Sequence, residues 1–291
     1  MASLDDLKKR ISSVKSTQKI TKAMKMVAAS KLRRAQENAE KGRPYSDKMN
    51  NIILNLSNSI TDKENSPKLL VGSGDDKVHL CIVMTSDRGL CGGFNTNIIK
   101  KAKLYFQKIG DTGKTLKIIT VGSKGYDQLK RTYKENIIEK ISFKESKHAN
   151  YFDADKVGKI IIDKFEKKEF DVCTIFYNQF KNVITQIPQE QKIIPLEASK
   201  VEGNSSEDNY EFEPEEDEIL SNLLPKNIST QIFKAMLENS ASEQGSRMSA
   251  MDNATRNAGE MVDKLTIQYN RSRQAAITKE LIEIISGAES L

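Results

Sequence analysis

Residues 85–95, TSDRGLCGGFN, set three glycines and a cysteine directly after the apolar run VHLCIVM. A glycine-rich turn at the end of a strand is where backbone amides can cradle a phosphate, and a cysteine there can act as a nucleophile. A Walker loop needs Gly-x-x-x-x-Gly-Lys-Ser/Thr, with the lysine reaching the terminal phosphates. After Gly89 come Leu90, Cys91, Gly92, Gly93, Phe94 and Asn95, with no lysine in place. A dinucleotide turn needs Gly-x-Gly-x-x-Gly, and Gly89, Gly92 and Gly93 do not have that spacing. The second glycine turn, VGSKGYDQ at 121–128, fits neither pattern. Cys91 as a nucleophile needs a base, and neither His79 nor His148 is near it in sequence. Cys81, Cys91 and Cys173 lack metal-ligand spacing and read as free thiols of a reducing compartment. The glycines are therefore expected to supply positive φ angles and close helix–strand packing at a tight turn.

The elements that carry this turn read as α/β. Short β-branched runs lie at 78–85 (VHLCIVMT), 116–122 (LKIITVG), 170–180 (FDVCTIFYNQF) and 182–189 (NVITQIPQ). Helical candidates alternate with them at 95–110, 123–133 and 153–170. Alternation of strands and helices predicts βαβ units and a mostly parallel sheet, a Rossmann-like domain over 75–196. The polar break Lys181-Asn182 predicts an antiparallel hairpin for the last two strands. An acidic linker follows over 197–224. Glu202, Glu207, Asp208, Glu211, Glu213, Glu215, Glu216, Asp217 and Glu218 crowd into it.

Both ends of the chain carry a helical period instead. Leu4, Leu7, Ile11 and Val14 recur at steps of three and four, one stripe on one helix face. Ser3 is placed to cap this helix, with Asp5 and Asp6 at the positive end of its dipole. The stripe weakens through Gln18, Thr21 and Lys22 into the small run AMKMVAAS at 23–30. GRPY at 42–45 marks an expected kink, because Pro44 removes a backbone donor. The N-terminal helix is assigned to 1–59. The C-terminal helix is assigned to 225–291, with Pro225 at its start, where no amide hydrogen is needed. There Met248, Met251, Thr255, Ala258, Val262, Leu265, Tyr269, Ser272 and Ala276 form a coiled-coil seam with small and polar members. At about 1.5 Å per residue each helix reaches roughly 80 to 90 Å if unbroken. A single globular core cannot cover such rods, so the two are expected to pack antiparallel on each other.

Composition narrows the function classes. The 291 residues include 30% charged side chains, no tryptophan and a net charge of +6. No apolar run approaches the length of a membrane span, and the start, MASLDDLKKRISSV, is not a secretory signal. Lys8, Lys9, Arg10, Lys15, Lys19, Lys22, Lys25, Lys31, Arg33 and Arg34 make the N-terminal helix basic. A nucleic-acid binder would be expected to interleave aromatics, yet Phe and Trp are absent from the first fifty residues. A protein partner of opposite charge fits better. Two alternatives stand beside it: an enzyme or nucleotide-binding α/β domain with a coiled-coil dimerisation arm, and a basic coiled coil that binds nucleic acid.

Three segments in order, STQKITKAMKMVAASKLRRAQ (16–36), TSDRGLCGGFNTN (85–97) and ITKELIEIISGAES (277–290), resemble the gamma subunits of F-type ATP synthases. The resemblance covers both ends and the middle of the chain. It implies an antiparallel coiled coil of the terminal helices beside a Rossmann-like α/β domain. It implies the role of a central rotor shaft, itself non-catalytic and without a cofactor. The shaft would couple ion flow through a membrane c-ring to ATP synthesis at alpha and beta subunits. Implied partners are the alpha and beta subunits of the catalytic hexamer, the epsilon subunit and the c-ring, with no nucleic acid. The implied location is the cytoplasmic face of a bacterial inner membrane, as a peripheral protein. By the same resemblance Arg247, Arg273, Gln274, Thr278 and Glu280 are expected to catch loops of alpha and beta, and Met24 to face a beta loop. The lack of a closely spaced cysteine pair argues against the redox control of chloroplast relatives.

Overall fold

The computed structural model describes residues 3–59, 67–144, 149–196 and 216–289. His148 and the acidic segment 197–215 lie outside the described residues. Helix α1 spans Leu4–Ser59. Its start is a reciprocal cap: Ser3 Oγ accepts from the Asp6 amide at 3.1 Å, and the Ser3 amide donates to Asp6 Oδ2 at 3.3 Å. Two otherwise orphaned donors are thereby satisfied. The helix runs through Pro44 without a break in its assignment.

A short helix, α2 (Lys68–Val71), precedes β1 (Val78–Met84). Then follow α3 (Phe94–Asp111), β2 (Thr115–Val121), α4 (Ser123–Tyr133), β3 (Ile137–Ile141), α5 (Tyr151–Glu166), β4 (Val172–Phe180), β5 (Gln186–Ile194) and α6 (Glu216–Glu289). The sheet order is β3-β2-β1-β4-β5. All pairs are parallel except β4 with β5. This is the doubly wound α/β arrangement expected from the alternating runs.

Three details correct the expectations. Strand β3 adds a fifth strand to the four expected from the apolar runs. The hairpin between β4 and β5 turns over 181–185 rather than over Lys181-Asn182 alone, because Asn182 Oδ1 accepts the amides of Ile184 and Thr185 at 2.9 and 2.7 Å. Helix α6 begins at Glu216, so residues 216–224 belong to it rather than to a linker, and Pro225 lies inside it. A proline within a helix costs about 3 kcal/mol. Burial of Leu220 and Leu224 against Met49, Ile53, Leu56 and Leu70 offsets that cost.

The chain divides into two units. The first comprises Met1–Ala29 and Arg247–Leu291, the second Ser30–Ser246. In the first, α1 and α6 run antiparallel. Thr21 Oγ1 lies 2.8 Å from Thr255 Oγ1, and Lys25 Nζ donates to Asp252 Oδ1 at 2.7 Å. Leu7, Ala28, Met251, Ala258 and Leu265 are buried here. Small residues at the seam let the backbones approach closely.

In the second unit the sheet is covered on both faces. Leu80, Ile82, Ile119, Cys173 and Ile175 pack on one side with α5 (Val157, Ile161) and α6 (Ile228, Ile232, Met236). Cys81, Val83, Ile118 and Phe176 pack on the other with α3 (Ile98, Ile99, Ala102, Phe106) and Leu129 of α4. Strands buried on both faces explain why their sequences run apolar without alternation.

Candidate functional site

Polar side chains fold the loop after β1 onto itself. Ser86 Oγ donates to the Arg88 carbonyl at 2.7 Å and accepts from Asn95 Nδ2 at 2.8 Å. The Ser86 amide donates to Asn95 Oδ1 at 2.9 Å. Cys91 is buried in this knot, its Sγ 3.6 Å from Ser86 Oγ and 3.3 Å from Asn95 Nδ2. His79 stands at the opposite end of β1, its Nε2 2.7 Å from Asp76 Oδ1 and its Nδ1 3.4 Å from the Tyr105 hydroxyl. Burial lowers the His79 pKa, and the Asp76 carboxylate only partly opposes it. The pairing that a cysteine nucleophile needs is not assembled between Cys91 and His79. Cys81 and Cys173 are buried in the sheet, where desolvation pushes both thiols up and keeps them protonated.

The glycines act as geometry, but at fewer places than expected. Within the loop only Gly92 is a left-handed glycine, φ 56°, and Leu90 takes the other left-handed position at φ 63°. A Cβ on Gly89 would meet nothing within 4 Å. The crowded position is Gly122 in the second turn, with φ 102°, where a Cβ would fall 2.7 Å from the Thr85 carbonyl carbon.

Asp87 joins the two turns. Its Oδ1 accepts from the Ser123 amide, the Ser123 hydroxyl and the Ser142 hydroxyl at 2.8, 2.7 and 2.7 Å. Its Oδ2 accepts from the Phe143 amide at 3.2 Å. Burial opposes ionisation of Asp87, but these hydrogen bonds outweigh it and hold the carboxyl below the usual carboxylate range. An anion at the first residue of α4 also suits that helix's dipole. Nothing in the spacing of the sequence marked Asp87. It became legible only when β3 brought Ser142 beside the first turn.

The strand order reverses between β1 and β4. In doubly wound folds the crevice at the carboxyl ends of such strands takes the ligand. Here α6 lies in that place. Ser246 Oγ donates to the Cys91 carbonyl at 2.7 Å, and Ser242 Oγ donates to the Asn178 carbonyl at 2.9 Å. At Gly245 a Cβ would stand 3.2 Å from the Phe180 ring. The glycine loop is a seat for a helix.

The residues singled out by resemblance lie in the other unit. Met24 and Arg247 are half-buried, whereas Arg273, Gln274, Thr278 and Glu280 are exposed. Thr278 Oγ1 donates to the Gln274 carbonyl at 2.9 Å within the helix. Arg247 and Arg273 are separated by about 39 Å at the rise of an α-helix. These positions do not converge on one constellation; they are distributed along a helical surface.

An ATP synthase family model matches residues 3–291. The chain is 87% identical over 291 residues, all of both chains, to the ATP synthase gamma chain of Pelagibacter ubique (strain HTCC1062). It is 58% identical, again over all of both chains, to the gamma chain of Roseobacter denitrificans (strain ATCC 33942 / OCh 114). Among solved structures, it resembles a chain of the central stalk and c-ring of the Tetrahymena thermophila mitochondrial ATP synthase, with TM-score 0.62 and 27% identity, covering 81% of this chain and 99% of that one. A chain of the Euglena gracilis mitochondrial ATP synthase shares the fold with TM-score 0.69 at 19% identity, covering 99% of this chain and 94% of that one. Matched over its whole length by both sequence and fold, the chain belongs to the ATP synthase gamma-chain family.

Proposed function

We propose that this chain is the rotating central shaft of an F-type ATP synthase. It would carry torque between a membrane c-ring and a catalytic hexamer of alpha and beta subunits, with an epsilon subunit at its foot. It would do so at the cytoplasmic face of a bacterial inner membrane. The observation that carries this reading is the uncovered end of α6. Thr21 faces Thr255 and Lys25 faces Asp252, so the described start of α1 at Leu4 stands opposite about residue 273 of α6. Past that point Ile277, Leu281, Ile282, Ile284 and Ile285 stay 50 to 71% exposed. Exposed apolar surface of this extent marks a partner. A sleeve formed by a ring of subunits is the partner that the family supplies.

The mechanism needs no reacting group on the shaft. A ligand shifts an equilibrium only by binding its states differently. An asymmetric helix pair inside a ring of like subunits touches each one differently. Rotation then changes which subunit favours the open, loose or tight state for nucleotide. Met24, Arg247, Arg273, Gln274, Thr278 and Glu280 are the proposed polar and steric contacts to alpha and beta. Occupation of the switch-point crevice by α6 supports a non-catalytic chain without a cofactor. No described helix is long and apolar enough to cross a membrane, which accords with peripheral attachment.

Purification of the chain from native membranes tests the proposal. The expected result is recovery of alpha and beta subunits at three copies each per shaft. Recovery of this chain without them would overturn it. Nucleotide binding to the isolated chain in calorimetry would favour instead an α/β domain with a coiled-coil arm.

A further inference from the structure

Strand β4 outruns its neighbour. β1 pairs with β4 from His79↔Val172 to Val83↔Phe176, whereas β4 continues to Phe180 against β5. On the side that β1 has left, the backbone groups of Asn178 and Phe180 need other partners. Four side chains supply them. The Asn178 amide donates to Asn239 Oδ1 at 3.2 Å, and the Asn178 carbonyl accepts from Ser242 Oγ at 2.9 Å. The Phe180 amide donates to Glu238 Oε2 at 2.9 Å, and the Phe180 carbonyl accepts from Arg43 Nη2 at 3.1 Å. Alternate strand residues present their backbone to the same edge, so the four bonds form one continuous ladder in place of a strand.

Glu238 and Arg43 close the ladder into a clamp. Arg43 Nε donates to Glu238 Oε1 at 2.6 Å, and the Glu238 side chain is only 2% exposed. One carboxylate thus spends one oxygen on α1 and the other on β4, while it is itself carried by α6. Glu238, Asn239 and Ser242 sit within about one turn of α6. The same face of α6 meets the sheet through Ile228, Ile232, Ala235 and Met236. Apolar packing is non-directional and tolerates sliding. Hydrogen bonds are directional and hold register.

We infer that the Arg43–Glu238 clamp on the free end of β4 is the torsional joint of the chain, where twist entering the α/β sheet is handed to helices α1 and α6. Arg43 and Glu238 are positioning residues in that joint. The inference rests on the shaft reading. A loose joint lets the sheet and the helices slip under load while an unloaded complex still turns over.

The test uses the complete synthase in inverted membrane vesicles carrying Arg43→Ala or Arg43→Lys. The expected result for Arg43→Ala is normal assembly and near-normal ATP hydrolysis by detergent-released complex, with a several-fold loss of ATP synthesis and a lower maximal ion gradient. Arg43→Lys keeps the charge but not the forked donor, and should fall between the wild type and Arg43→Ala. A parallel fall of loaded and unloaded activities would overturn the inference, as would no change in either. Should Arg43→Ala fail to assemble, Ser242→Ala removes one bond of the ladder and is judged by the same two readouts. Failure of wild-type vesicles to couple would count against the shaft reading instead, so the two are separable.

Discussion

Gly122 and Gly89 look alike in sequence, each following a strand, and the structure separates them. At Gly122 the left-handed backbone and the adjacent Thr85 carbonyl leave no space for a Cβ. Gly122→Ala is expected to cost about 3 kcal/mol or more from combined strain and overlap, and Gly89→Ala to stay within about 0.5 kcal/mol. Urea unfolding of the two variants checks the contrast. Asp87 makes a second prediction. Its carboxylate accepts four hydrogen bonds and its folded pKa is depressed, so its contribution is fully present above the ordinary value of 3.8 and is lost as pH falls through the lower folded value. Asp87→Asn should destabilise at neutral pH by about 1 to 3 kcal/mol, discounted for partial exposure, and flatten the acid limb of a pH–stability curve. An unaltered acid limb would refute the assignment. At this scale the sequence revealed residue types but not tertiary partners. The glycines were legible as turn-formers, yet which of them was crowded depended on Thr85, and the role of Asp87 depended on Ser142.

Helices and strands were legible wherever burial was uniform. The stripe from Leu4 to Val14 and the strands buried on both faces announce themselves, because their periods follow directly from the faces they bury. The edge strand IIEKI did not, since with one neighbour it turns Ile138 and Lys140 to solvent while Ile137, Glu139 and Ile141 are half-buried, and it offers only a short pattern. Pro225 misled for the opposite reason: a local rule placed it at a helix start, and burial of Leu220 and Leu224 carried the helix back past it. The Arg43–Glu238 clamp was hidden too, because Glu238 within the mixed run MLENSAS has nothing in sequence to distinguish it from the acids of an exposed helix face. Packing of the helices yields a prediction. A Cβ at Gly158 of α5 would sit 2.5 Å from Ser229 Oγ and 3.4 Å from its Cα on α6, whereas at Gly259 it would meet only the mobile end of Gln18 at 3.0 Å. Gly259→Ala is therefore expected to stabilise by up to about 1 kcal/mol through helix propensity, and Gly158→Ala to destabilise by about 1 to 2 kcal/mol. Opposite shifts in Tm are the outcome to look for; shifts of one sign would contradict the helix contacts described.

For the molecule as a whole, the proposed contacts with a surrounding ring make the strongest demand. Gln274 is exposed, so truncating it removes little that holds this chain together, whereas Arg247 is half-buried. If they bond to subunits of the hexamer, each loss is about 1 kcal/mol. Two sites this far apart on α6 should add nearly independently. Arg247→Ala with Gln274→Ala should then slow ATP synthesis and hydrolysis by the assembled complex roughly ten- to thirtyfold. Met24→Lys acts differently. It puts a cation where a half-buried apolar side chain now stands, on a helix already dense in Lys19, Lys22 and Lys25. An added charge facing a moving partner changes the relative energies of rotary positions without removing a bond. Hydrolysis should therefore continue while ion pumping falls. Measuring both in the same vesicles distinguishes the cases: the double variant lowers the two rates together, and Met24→Lys changes their ratio. Normal ATP-driven pumping by Met24→Lys, or unaltered turnover by the double variant, would remove those residues from the contact surface and leave the uncovered apolar end of α6 as its remaining support.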